Sequence, residues 1–298
     1  DADFIVVDIH GEITSEKMDN SPPEQDISNL ACPNCHGALG RNGKGLPCQS
    51  CSSSFLDRGP YLDLMHKDVE APKGMGPRLM RVRVFARIYE KYWRPTFVSI
   101  AMAGRADMKW EQNRVKDLFS TVAGGEVLDL CCGPGFMARY LASAGVASRV
   151  YGLDASRAML EQAEQLVEDE DAAPIVWVRA DVDKLPFQSG SLSAIHAGAS
   201  LHLWSSPDLA LKEIARVLKP GGVFFASTFM RSGDGVAARS LQYAFDRFAS
   251  THIFSDKELR GLVENAGMEG YSTSVRGGFV YLNANAPNAQ EKAESPEV

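Results

Sequence analysis

No apolar run in this 298-residue chain approaches the roughly 20 residues that a membrane-crossing helix needs. The opening DADFIVVDIH is acidic, without a charged-then-apolar leader or an Arg- and Ser-rich stretch, so neither a secretory nor an organellar targeting segment is expected within it. Internal repeats are absent, which excludes solenoid and propeller arrays. Cysteine is scarce. Its six residues fall in two sets, without the scattered pairs of a secreted disulfide framework. Positive charge is in deficit as well. Lys and Arg number 31 against 38 Asp and Glu, a net charge of −7 that argues against bulk attraction to nucleic acid. The deficit is uneven: residues 1–30 carry eight acids and one Lys, whereas residues 66–116 carry twelve Lys or Arg against five acids. Only that second block suits an anionic partner.

Four cysteines carry the first positive signal. Cys32, Cys35, Cys48 and Cys51 follow the pattern C-x2-C-x12-C-x2-C. Two residues between cysteines let a tight knuckle turn both sulfurs towards one tetrahedral ion, and two knuckles complete a four-thiolate set. Gly37, Gly40, Gly43 and Gly45 supply the turns of a hairpin between them. A redox dithiol and unligated buried thiols are the alternatives, yet neither accounts for the same spacing occurring twice. The pattern predicts a zinc ribbon over 30–64, after an extended acidic arm (1–29) and before a Pro- and Gly-rich linker (65–77). Four sulfurs leave the ion no open position for water, so its role is structural.

The chemistry is expected around Val127 to Leu141. An apolar run (Val127, Leu128, Leu130) ends in Cys131-Cys132-Gly133-Pro134-Gly135, and Met137, Tyr140 and Leu141 follow at helical spacing. Strand, Gly-rich turn and helix open a βαβ nucleotide-binding unit, whose glycines let a ligand approach the backbone at a helix N-terminus. An ordinary tight turn looks the same, so the downstream pattern decides. Arg149 to Asp154 predicts a second strand ending in a carboxylate about twenty residues past the turn, where an acid can take two ribose hydroxyls. A helix N-cap is the alternative for Asp154, a role open to Ser156 too. Further strands at 175–178, 192–198 and 223–226, with a helix over 207–218, predict an α/β fold with a doubly wound parallel sheet. His196, near the end of the fourth strand, and His202, just beyond it, are candidate general bases. Their alternatives are a satisfied core imidazole and a surface or cap residue. Small neighbours, Ala197 and Gly198, leave room for an acceptor.

The segments VLDLCCGPG, GLDAS, RADVDKLPF and ARVLKPGG, in that order, resemble the motifs of class I S-adenosylmethionine-dependent methyltransferases over about residues 115–283. More narrowly, HAGASLHLWSSP, the YEKYW segment and the upstream cysteine pairs resemble a group of plant and algal plastid methyltransferases. One departure is Cys131, which stands where that loop commonly has Gly. The resemblance implies a Rossmann-like seven-stranded sheet, parallel with one antiparallel strand, within a domain spanning 78–283. It implies S-adenosyl-L-methionine as cofactor, with Asp129, Cys131, Gly133 and Gly135 at the methionine end. Asp154 and Ala155 would serve the ribose and Asp181 and Val182 the adenine, with Ala197 adjoining. Tyr89 and Trp93 would belong to a cap before the first strand, and structural Zn2+ would sit in the ribbon.

The same resemblance implies a chloroplast location and a small-molecule acceptor, a quinone or prenyl lipid, under an apolar helical lid that includes Leu241, Tyr243, Phe245 and Phe248. Peripheral association with a membrane or a protein complex accords with this. A second reading is a ribosomal RNA base methyltransferase whose ribbon contacts RNA, and a third is a non-catalytic methyltransferase-fold subunit of a larger assembly. The basic block bears on the choice. Leu79, Val82, Phe85, Ile88, Tyr89 and Tyr92 predict an amphipathic helix, and Arg81, Arg83, Arg87 and Lys91 lie on its polar side. A helix from Ser255 with Glu258 as a capping box and a closing hairpin (271–275, 279–282) complete the expectation, with a disordered tail from 284 to 298.

Overall fold

The computed structural model describes residues 4–7, 13–16, 26–65, 81–89, 108–167, 172–231, 252–276 and 279–288. Lys91, Tyr92, Trp93, the lid residues and most of the expected linker lie outside the described residues. β1 (Phe4–Val7) and β2 (Ile13–Glu16) pair antiparallel as a hairpin of their own within the arm that was expected to be extended.

The other ten strands form one sheet. β6 (Gly125–Leu130), β7 (Ala147–Asp154), β8 (Ile175–Arg179), β9 (Leu192–Ala197) and β10 (Leu218–Phe229) run parallel in the order β8-β7-β6-β9-β10. β12 (Phe279–Asn285) lies antiparallel beside β10, and β11 (Glu269–Arg276) closes that edge as its hairpin partner. The seven-stranded core with one antiparallel strand is therefore present. Its strands read as apolar runs because both faces are covered. Val127, Val150, Trp177, Ala194 and Phe225 face one apolar cluster, which includes Val115 and Phe119 of α2 (Met108–Phe119) and Met137 and Leu141 of α3 (Phe136–Ser143). Their neighbours Leu128, Tyr151, Val178, Ile195 and Phe224 face a second cluster, shared with α5 (Pro207–Val217) and α6 (Asp256–Asn265).

That second cluster also takes in the cysteine module. β3 (Gly45–Pro47), β4 (Ser54–Asp57) and β5 (Leu62–Asp63) extend the sheet beyond β8, with Leu62 opposite Val178 and Asp63 opposite Arg179 in parallel register. Leu30 bridges to Phe187, and Ala31 N–H donates to the Pro186 carbonyl at 2.9 Å. Leu30, Leu46, Leu62 and Leu64 pack in the same cluster as Leu128 and Phe187. Ribbon and core share a sheet edge and an apolar core.

Several local expectations hold in detail. Ser255 caps α6, with Ser255 Oγ accepting from Glu258 N–H and Glu258 Oε2 accepting from Ser255 N–H, and Gly267 follows the helix at φ 82°. Others are corrected. In α1 (Arg83–Ile88) the buried stripe is Phe85 and Ala86, packed on Ala158 and Met159 of α4 (Arg157–Gln165), with Tyr89 beside them. Val82 and Ile88, expected on that stripe, are exposed, because α4 rather than apolar content selects the face. Residues 284–286, expected to be disordered, continue the sheet: β12 runs to Asn285, and Ala286 exchanges backbone hydrogen bonds with Gly221 and Gly222. The polar Asn283 and Asn285 mask the alternation with buried Leu282 and Ala284. Among the described residues no helix is long and apolar enough to cross a membrane.

Candidate active site

The loop from β6 into α3 lies at the carboxyl ends of the parallel strands, where ligands bind in open α/β sheets. Cys131 (φ 57°), Gly133 (φ 56°) and Gly135 (φ 79°) are all in the left-handed region. At Gly135 a Cβ would also collide with the Trp177 ring of β8, which fills the space beneath the loop and beneath Gly152. Cys131 adopts the left-handed conformation although it carries a Cβ, a strain of about 1–2 kcal/mol, so it occupies a glycine-like position in backbone as well as in sequence. Burial pushes both the Cys131 and Cys132 thiols up, and they remain protonated.

The loop is tied to the next strand end. Gly133 N–H donates to Asp154 Oδ2 at 2.9 Å, while Asp154 Oδ1 accepts from Ser156 N–H at 2.8 Å. Ser156 itself caps α4 by accepting from Met159 N–H. The cap is thus the serine, and the aspartate is left facing the loop. Burial raises the Asp154 carboxyl, and the Ser156 and Gly133 N–H groups pull it back. The Tyr89 ring edge overhangs Gly133, 3.9 Å from where a Cβ there would stand. Ala155, next in the chain, uses its carbonyl to accept from Arg179 Nε.

After β8, Asp181 Oδ1 accepts from Asp183 N–H at 3.1 Å, and Val182 is half-buried against the core. Burial, with Asp181 alongside, lifts the Asp183 carboxyl to about 6. Its Oδ1 is buried with no hydrogen-bond partner among the described residues. A loop whose Gly133 and Gly135 leave its backbone open and a carboxylate at the end of β7 fit the polar edges of an adenosyl ligand.

Behind the loop runs a buried polar chain. Asp129, 2% exposed, accepts from Ala138 N–H at 2.9 Å through Oδ2 and bonds His196 Nδ1 at 2.8 Å through Oδ1. His196 Nε2 lies 3.4 Å from Glu111 Oε1 of α2, which also accepts from Ser227 Oγ at 3.1 Å. Ser227 Oγ in turn accepts from Ala199 N–H. Burial alone would lower His196, but the two carboxylates outweigh it and lift the imidazole to about 9. Expected as a candidate base, His196 is a clamped cation with both nitrogens engaged. Its ring also fills the space over Gly198 that was expected to admit an acceptor, and Ala197 is fully buried at the end of β9.

His202 has a different setting. It is 5% exposed, its Nδ1 lies 3.3 Å from Thr228 Oγ1, and its ring meets Phe229 edge-on at 4.6 Å. Burial drops its pKa to about 3, so the imidazole is neutral at physiological pH. From there an aromatic wall runs along the strand ends: Phe229 to Phe279 at 4.6 Å, Phe279 to Tyr281 at 6.5 Å and Tyr281 to Trp110 at 4.8 Å. Arg276 stacks on Trp110 at 4.0 Å.

The four ribbon cysteines converge at the far edge of the sheet. Their Sγ atoms all lie within 4.8 Å of one another, with Cys32 to Cys51 at 3.8 Å and Cys35 to Cys48 at 3.5 Å. Tetrahedral zinc with bonds of about 2.3 Å needs sulfurs about 3.8 Å apart. Backbone N–H groups of Asn34 and Ser50 point at the sulfurs of Cys32 and Cys48, as a knuckle requires. His36 lies away from the sulfurs' hydrogen bonds and approaches Glu213 at 3.9 Å.

The sequence reasoning missed Glu111, Ser227 and Trp177. Glu111 had a readable signal: an acid four residues before Val115 and eight before Phe119, hence on the apolar face of α2. Trp177 and Ser227 had none, since their roles depend on which strand lies opposite.

A family model described as a methyltransferase domain matches residues 127–222, and one described as a reverse gyrase zinc finger matches residues 25–57. An uncharacterised chloroplastic methyltransferase of Arabidopsis thaliana is 33% identical over 297 residues, which cover 92% of this chain and 82% of the relative. The 2-phytyl-1,4-naphtoquinone methyltransferase of Nostoc punctiforme is 39% identical over 114 residues, 38% of this chain and 49% of that protein. Among solved structures, the phosphoethanolamine N-methyltransferase 2 of Haemonchus contortus superposes with a TM-score of 0.55 at 15% identity, over 70% of this chain and 60% of that one, a likeness of fold alone. Loop, strand-end carboxylate, strand order and the long Arabidopsis match agree: the chain belongs to the class I S-adenosylmethionine-dependent methyltransferases, in the family of that chloroplastic relative.

Proposed function

We propose that the protein methylates a small, aromatic, lipid-like acceptor of the quinone type in the plastid. The observation that carries this is the aromatic cluster of Phe229, Phe279, Tyr281 and Trp110, in which Phe279 and Tyr281 are buried and back the partly exposed Phe229 and Trp110. Flat apolar rings suit an aromatic nucleus by offset or edge-on stacking. The naphthoquinone methyltransferase and the chloroplastic methyltransferase among the relatives support acceptor class and compartment.

When bound, S-adenosyl-L-methionine supplies an electrophilic methyl group on a sulfonium that is already its own leaving group, so the chain's task is positioning and exclusion of water. Asp154, next to Ala155, would take the ribose hydroxyls, Asp181 and Val182 the adenine, and Gly133 and Gly135 the methionine end. Cys131 and Ala197 shape the loop and strand end beside it, and Tyr89 covers it. Asp129 acts through the first turn of α3 by holding Ala138 N–H, and His196 holds Asp129. Neutral His202 can accept a hydrogen bond from an acceptor hydroxyl. Its low basicity means that a proton released on methylation passes on to water. Zinc held by Cys32, Cys35, Cys48 and Cys51 would be structural.

The direct test offers purified, zinc-loaded protein with labelled donor and 2-phytyl-1,4-naphthoquinone, oxidised or reduced. Transfer to the ring is expected, with at least a tenfold loss in Phe229→Ala. Absence of transfer to either form, alongside transfer to ribosomal RNA, would replace this reading with the RNA one.

A further inference from the structure

At the seam between the cysteine module and the core, four guanidinium groups pair with two carboxylates and a fifth, that of Arg81, lines the same hollow. Asp63 of β5, 9% exposed, is reached by Arg179 at 2.9 Å, Arg157 at 3.3 Å and Arg58 at 3.6 Å. Glu161 of α4 pairs with Arg83 at 3.0 Å. Arg81 has no carboxylate within ion-pair reach among the described residues; burial and the charge of Arg179 press its pKa down, against the more distant carboxylates of Asp154 and Asp181. Five guanidiniums against two directly paired carboxylates leave a local excess of positive charge, offset only at longer range by Asp154 and Asp181, in a protein whose net charge is −7.

These groups do not spread over a convex face. Arg58, Tyr61, Arg81, Arg83, Arg157 and Glu161 line one concavity of about 470 Å³, walled by the ribbon on one side and by α4 and the start of α1 on the other. A second hollow continues along α1 and α4 past Arg83 and Arg87. Repulsion among clustered guanidiniums opposes folding, and a concave, partly desolvated setting strengthens it. Asp63 relieves part of it. The remainder is what a multivalent oxyanion relieves best, since planar guanidinium forks bond two oxygens at once.

We propose that this seam is an anion-binding site for a phosphate or diphosphate group. It does not depend on which acceptor is methylated, and Arg81 sets it on the side of Asp154 and Asp181. Because the ribbon supplies Arg58 and Tyr61 and the core supplies Arg157 and Arg179, the site exists only when the two are docked. Such a phosphate could come from a soluble phosphorylated compound or from the headgroup of an anionic lipid, the same chemistry from two sources.

The probe is inorganic pyrophosphate titrated calorimetrically into the full, zinc-loaded chain at low salt. Saturable binding is expected, weakened at least tenfold in Arg81→Gln and unaffected in Arg260→Gln, which removes a basic group paired with Glu264 on α6. Arg81 bonds no described carboxylate, so its replacement should leave the thermal midpoint in place. Flotation with vesicles of phosphatidylglycerol or phosphatidylcholine identifies the source. Binding to the anionic vesicles that pyrophosphate displaces assigns a lipid headgroup, and pyrophosphate binding without flotation assigns a soluble phosphate. No saturable pyrophosphate binding, or equal weakening by Arg260→Gln, overturns the proposal.

Discussion

Two histidines six residues apart in sequence feel opposite electrostatics, and the difference is measurable as stability. For His196 the folded pKa, about 9, lies above the ordinary value of 6.5. Its stabilisation is therefore full below pH 6.5 and is lost as pH rises through 9. For His202 the folded pKa, about 3, lies below 6.5, so its neutral burial destabilises the fold progressively as pH falls from 6.5 towards 3. His196→Gln leaves Asp129 and Glu111 buried without their shared cation, a loss of about 3–5 kcal/mol. Urea melts at pH 6 and pH 9 should show wild-type stability falling across that interval and the variant's staying nearly level. Equal slopes for both would show that His196 is not the clamped cation described. At the cofactor end, Asp154→Ala removes charge-assisted hydrogen bonds and should weaken S-adenosylhomocysteine binding by about 1–3 kcal/mol. An unchanged dissociation constant in calorimetry would reduce Asp154 to a loop tether.

Individual elements show what a sequence can and cannot carry. The strand-turn-helix at Val127 to Leu141, the capping box at Ser255 and the cysteine knuckles were legible because each is decided by residues close in sequence. The partner of His196 was not, because Asp129, Glu111 and His196 sit on three elements and meet only when β9 lies beside β6 and α2 packs across them. Likewise the phase of α1 was misread, since α4 supplies the surface that chooses it. Gly135 joins both kinds of information: its place in a glycine turn leading into a helix was readable, but its left-handed φ and the Trp177 ring of β8 beneath it come from the fold. Gly135→Ala should lose about 1–2 kcal/mol to backbone strain and a further 1–3 to overpacking. Only the second part is relieved by Trp177→Leu. A double-mutant cycle should therefore show favourable coupling of about 1–3 kcal/mol, and simple additivity would mean that the ring does not fill that space.

For the whole molecule the decisive feature is the ten-stranded sheet that runs from the cysteine module into the methyltransferase core. On sequence alone the ribbon and core read as separate modules, because the segment joining them is rich in Pro and Gly. The pairing of Leu62 and Asp63 with β8 has no local signature in two residues of strand. Removing zinc should therefore do more than unfold a satellite. It should expose Leu30, Leu62 and Leu64 at the edge of the shared core, lowering the Tm of a single calorimetric transition. Two separate transitions, with the upper one unmoved by chelation, would show that the modules fold independently. The catalytic claim has its most direct test in labelled S-adenosyl-L-methionine incubated with the zinc-loaded protein and fractionated plastid extract. Label is predicted in the lipid fraction, and its entry is predicted to fall at least about fivefold in Asp154→Ala at subsaturating donor. Label confined to RNA or protein, or absent from every fraction, would contradict a quinone-type acceptor.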